Sequence, residues 1–100
     1  MANNWNIPDW LERKVRERDI RCVYCNVLMK KGDSRNRATF EHIENNAKNI
    51  AESNIALCCS ACNSSKGARK LVDWLKTPYC KRKNINEKTA APIVKRFLKK

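Results

Sequence analysis

Apolar residues occur in short groups along this chain, divided by polar and turn-forming residues. From Pro8 to Asp19, Trp10 or Leu11, then Val15 and Arg18, recur at helical spacing on an otherwise charged segment. The spacing predicts an amphipathic helix with Pro8 in its first turn. Ile20 to Leu28 reads as a turn between short extended pieces, and Lys31 to Arg37 as a loop. Ala38 to Ile43 and Asn54 to Cys58 read as two short strands, with a polar loop holding one helical turn between them. A helix is expected from Cys62 through Lys66, Ala68, Leu71 and Val72 to Trp74 and Leu75, weakened at Gly67 and ended by Pro78. Tyr79 to Lys88 is basic and reads as irregular. Thr89 is placed to cap a last helix, Ala90 to Leu98, which packs through Ile93, Val94, Phe97 and Leu98. With no internal repeat or low-complexity tract, the pattern predicts one α+β domain over residues 1–100.

Composition adds two constraints. The chain has 100 residues, of which 42% are hydrophobic. A core that thin calls for a staple. Lysine and arginine number 22 against 10 acidic residues, a formal net charge of +12. Such an excess favours a polyanionic partner: DNA, RNA or an anionic membrane surface. No stretch reaches the roughly 20 apolar residues that span a bilayer. The segment Met1-Ala2-Asn3-Asn4-Trp5 lacks the basic-then-apolar pattern of a signal peptide, so a cytoplasmic, reducing setting is expected.

In that setting paired Cys-x-x-Cys motifs bind metal more often than they form disulfides. Cys22 and Cys25 make one pair, and Cys59 and Cys62 another. Four thiolates suit a tetrahedral structural Zn²⁺ with no open position. Cys58 competes with Cys59, but only Cys59 stands two residues from Cys62; Cys58 is expected to point into the core, and Cys80 has no role in this scheme. The long stretch between the pairs must build something inside the loop the metal closes. A redox protein using Cys-x-x-Cys fits poorly, because no thioredoxin-like βαβ unit is visible.

Inside the loop lies the single histidine, His42, preceded by Glu41. Asn54 opens the second strand, Asn63 follows Cys62, and Lys66 comes one turn later. The run Arg21-Cys22-Val23-Tyr24-Cys25, then Phe40-Glu41-His42-Ile43, then Asn54 through Gly67 resembles the HNH endonuclease family, and within it the zinc-bound nucleases with two Cys-x-x-Cys pairs. The similarity covers roughly Arg13 to Leu75, leaving residues 76–100 as a basic extension.

That resemblance implies a small zinc-stapled ββα-metal (His-Me finger) core with flanking N- and C-terminal helices. By position, it makes His42 the general base and Asn54 the residue that orients it through a backbone contact. It makes Glu41 and Asn63 the ligands of a catalytic divalent cation. Glutamate stands where the family usually has aspartate or histidine, and asparagine where the name calls for a second histidine. These hard oxygen donors suit Mg²⁺ or Mn²⁺ better than Zn²⁺.

A neutral imidazole can take a proton from water, and a hard cation can steady the phosphate charge. Backbone N–H groups at the start of the Asn63 helix, and the side chains of Arg35, Arg37, Lys66 and Arg69, are candidate DNA phosphate contacts. Lys70, Lys81, Arg82, Lys83 and the C-terminal lysines and arginine extend that charge. The expected activity is metal-dependent nicking of DNA with weak sequence preference, by a monomer or a weak homodimer, without membrane attachment. The rival expectation is a zinc-stabilised nucleic-acid-binding module without catalysis.

Overall fold

A computed structural model of the protein describes residues 7–30, 35–44 and 50–99. Met1 to Asn6, Lys31 to Ser34, Asn45 to Asn49 and Lys100 lie outside the described residues, and with them parts of the two expected loops. The elements run α1 (Asp9–Arg18), β1 (Ala38–His42), β2 (Ile55–Cys59), α2 (Ser60–Lys66), α3 (Leu71–Trp74), α4 (Pro78–Lys83) and α5 (Pro92–Leu98). This is a small mixed α/β chain built on one two-stranded antiparallel sheet.

The strands pair in a register that sets Phe40 opposite Leu57, Glu41 opposite Ala56 and His42 opposite Ile55. Alternation divides their side chains between two faces. Phe40, Ile55 and Leu57 join Ile7, Leu11 and Val15 in a cluster beneath α1. Ala56 and Cys58 belong to the larger cluster on the other face, with Tyr24, Trp74, Ile93 and Val94. Both faces are covered, which is why every residue of β2 is buried and why its sequence, Ile-Ala-Leu-Cys-Cys, is apolar throughout. Between Trp10 and Leu11, it is Leu11 that faces the core, and Trp10 is exposed.

The outer side of β2 is closed by polar groups. Asp19 at the end of α1 accepts a hydrogen bond from Leu57 N at 3.0 Å. Arg18 grips Asp19 through Nε and Nη2, both at 2.8 Å. The same guanidinium donates to the carbonyls of Ile55 and Glu52 at 2.7 and 2.9 Å. Val23 N donates to Leu57 O at 3.3 Å, and Ile55 N to Ala51 O at 3.0 Å.

Three expectations about the helices need correction. The single helix from Cys62 to Leu75 is two: α2 starts earlier, at Ser60, and stops at Lys66, and α3 begins at Leu71. The break is Gly67, at φ +51° and ψ −130°, a backbone state that glycine adopts far more readily than residues with a Cβ. Pro78 does not merely end a helix. It opens α4 in the stretch expected to be irregular, because its fixed φ and missing N–H suit a first helical position. Thr89 does not cap α5, whose N-cap is Ala91. Its hydroxyl instead donates to Asn84 O at 2.9 Å and tightens the preceding loop.

Candidate metal centre and the cluster beside it

Cys22 to Cys25 form a tight turn between the bridged residues Arg21 and Leu28. Asn26 leaves that turn at φ +66°, a conformation asparagine tolerates. The second pair straddles the β2–α2 junction, where Cys59 is the N-cap of α2 and its sulfur accepts from Cys62 N at 3.4 Å. The first turn has the equivalent bond, Cys25 N to Cys22 Sγ at 3.5 Å.

The four sulfurs of Cys22, Cys25, Cys59 and Cys62 all lie within 4.8 Å of one another. Zinc–sulfur bonds of about 2.3 Å in a tetrahedron require sulfurs about 3.8 Å apart. The Cys25 and Cys59 sulfurs are 3.7 Å apart. The quartet could therefore hold a structural metal such as zinc. Tyr79 of α4 donates its hydroxyl to Cys62 Sγ at 3.4 Å, a contact absent from the sequence reading.

Cys58 stands outside the quartet, fully buried and 3.7 Å from Thr39 Oγ1. Burial raises its pKa and keeps it a thiol rather than a ligating thiolate.

On the far side of Tyr24 the chain gathers the residues singled out by pattern. Glu41 is 5% exposed, its carboxylate turned into the core face of the sheet. Tyr24 Oη donates to Glu41 Oε2 at 2.8 Å. Lys66 Nζ lies 3.0 Å from the same oxygen and donates to His42 O at 3.3 Å. Burial raises the Glu41 pKa, against the opposing pull of Lys66. The His42 pKa is lowered, first by burial and then by the Lys66 charge, so the ring is neutral at pH 7.

Asn63 lies along the α2–β1 contact. Its Nδ2 donates to Thr39 Oγ1 at 2.9 Å and to Phe40 O at 3.2 Å, so its amide oxygen turns the other way.

Asn54 is 2% exposed and clamps the backbone just beyond His42. Its Oδ1 accepts from Glu44 N at 2.6 Å and its Nδ2 donates to Glu44 O at 3.3 Å. Its own carbonyl accepts from Ile43 N at 2.9 Å. Asn54→Ala removes both side-chain bonds and is expected to lower stability by about 1–2 kcal/mol. Urea unfolding followed by tryptophan fluorescence measures this; an unchanged midpoint would show that the clamp holds nothing.

Two phosphate-contact expectations change. Lys66 is not on a solvated helix face: it is 1% exposed because Glu41 supplies a buried partner. Nor is the start of α2 open to an anion. Ser60 N and Ala61 N donate to the carbonyls of Arg37 and Arg35, and Cys62 N donates to Cys59 Sγ. Arg35, Arg37 and Arg69 are exposed. Arg37 reaches Ser60 Oγ at 3.5 Å, and Arg69 folds back on Ser65 O at 3.0 Å.

Among the described residues, the cysteine quartet is the only grouping of three or more His, Cys, Asp or Glu side chains spaced to hold a metal. Glu41 and Asn63 offer hard oxygen chemistry, but the Glu41 carboxylate is already neutralised by Lys66. No described helix is long and apolar enough to cross a membrane. No protein-family model matches the chain, and neither a curated protein nor a solved structure is significantly similar to it.

Proposed function

We propose that this protein is a zinc-stapled, HNH-type endonuclease that hydrolyses DNA phosphodiester bonds with His42 as the general base. The supporting observation is convergence. Glu41-His42 ends one strand, Asn54 clamps the backbone beyond it, and α2 carries Asn63 and Lys66 against the same strand. These residues come from three separate stretches of chain, and a ββα-metal core would require them together. Zn²⁺ at the four cysteines fastens the two ends of the loop that carries the site. A thiolate site of this kind belongs in a reducing, intracellular compartment.

The neutral His42 ring takes a proton from a water molecule whose oxygen attacks the phosphorus. The bond from phosphorus to the leaving sugar oxygen breaks, and that oxygen leaves with a proton from solvent. Asn54 positions His42 by fixing the backbone of Ile43 and Glu44. Glu41 and Asn63 are the residues that would hold Mg²⁺ or Mn²⁺, which supplies Lewis-acid stabilisation of the phosphate charge.

Affinity comes from the net charge of +12 and is sequence-independent. Exposed Arg35, Arg37, Arg69, Lys70 and the α4 side chains Lys81, Arg82 and Lys83 supply it. One site per chain cuts one strand, so supercoiled plasmid with Mg²⁺ or Mn²⁺ should give open circles before linear DNA and stay intact without divalent metal. If about six phosphates are neutralised, binding should fall with salt with a log–log slope of about −5. A second reading, a nucleic-acid-binding module without catalysis, draws on the commitment of Glu41 to Lys66. Salt-dependent binding by a folded, zinc-loaded chain that leaves plasmid intact with every divalent metal would establish that reading instead.

A further inference from the structure

Lysine is among the side chains least often fully buried, and Lys66 is 1% exposed. Its ammonium touches both members of the Glu41-His42 pair, the carboxylate of one and the carbonyl of the other. Tyr24 donates to the same carboxylate oxygen from the cysteine turn. A carboxylate buried this far needs a cation nearby. The chain carries one of its own, on the last residue of α2.

Beyond Lys66 the backbone turns at Gly67, and residues 67–70 are exposed. Lys66 therefore sits at the margin of the core, and its four-carbon stem can leave toward solvent without unpacking the sheet. Tyr24 has no such exit: it is 1% exposed and packed edge-on against Trp74, ring centres 4.9 Å apart.

We propose that Lys66 is the resident counter-ion of Glu41, and that a divalent cation binds there by displacing it while Tyr24 keeps its hold on the carboxylate. Two cations cannot share one buried carboxylate without mutual repulsion. Metal affinity at Glu41 is then the intrinsic affinity reduced by the fraction of molecules in which Lys66 has let go. The inference rests on Glu41 being a cation ligand, as proposed above, but not on the chain cutting DNA.

Mn²⁺ binding to the zinc-loaded full chain, followed by electron paramagnetic resonance at pH 8, tests it. Lys66→Met keeps the stem and removes the charge. It should tighten Mn²⁺ binding by about tenfold, as expected if about a tenth of wild-type molecules offer a free carboxylate. Adding Glu41→Gln should abolish that gain. Unchanged or weaker binding by a folded Lys66→Met chain would overturn the proposal. A wild-type measurement covers the case in which the variant does not fold. Acetic anhydride should label Lys66 slowly without Mn²⁺ and several-fold faster with it, read by peptide mass spectrometry. Equal labelling in both conditions overturns the proposal as well. Mn²⁺-dependent exposure of Lys66 in a chain that leaves plasmid intact would uphold the displacement and sink the nuclease.

Discussion

His42→Ala should reduce plasmid nicking by about 10²- to 10⁴-fold, the usual contribution of a positioned general base. The expectation rests on three features of the site. His42 is the only histidine in the chain. Its ring is buried and its pKa is lowered, chiefly by that burial, so it is ready to accept a proton at neutral pH. It ends β1, where the Asn54 clamp on Glu44 fixes the following backbone. The contact from Lys66 goes to the His42 carbonyl, so alanine retains it. Loss of activity should therefore come without loss of fold. Conversion of supercoiled to open-circular plasmid under single-turnover conditions gives the rate, with zinc content and urea midpoint as controls. A residual rate within tenfold of wild type would remove His42 from the chemistry.

Stripping the metal should unfold the protein. A structural zinc in a small domain contributes on the order of 10 kcal/mol or more. Net stabilities of whole domains are about 5–15 kcal/mol. The quartet joins the turn after α1 to the β2–α2 junction, and few other contacts could take over that role in a core this thin. Tyr24 lies between Cys22 and Cys25, so losing the turn also releases the hydroxyl that holds Glu41. Cys59→Ser, which removes a sulfur at the N-cap of α2, should have the same outcome as a strong chelator. Circular dichroism and a thermal scan decide the matter. A cooperative transition that survives complete zinc removal would show that the quartet is dispensable for folding.

The parts of this fold that declare themselves locally were legible in the sequence. The helix over α1, the two strands and the cysteine turn follow from periodicity and spacing, and the observed boundaries differ by only a residue or two. The segment after Lys66 was misread because Gly67 was weighed as a mildly unfavourable helical residue. Its positive φ is set by how α3 must turn back onto the core, which no local pattern displays. Pro78 gives the same lesson, since one ring geometry serves both to stop a helix and to start one. Lys66 was the larger error. On a helix a lysine looks solvated, and nothing near it in sequence foretells that Glu41, on a different element, will be its partner. Tyr24 escaped for a related reason, because its hydroxyl acts across the sheet while its ring looks like core.

The closure of β2 by Arg18, Asp19, Ala51 and Val23 bears on how two copies could ever meet. An exposed strand edge is a template on which another chain can add a strand, the usual route to edge-to-edge aggregation. From Ile55 to Leu57 that template is consumed by the chain itself, since the outward N–H and C=O of both residues already have partners. A continuous sheet across two molecules is thus blocked along this side. If paired strand cuts require two copies, they must come together through helices or through the DNA that both grip, and β2 stays private to each.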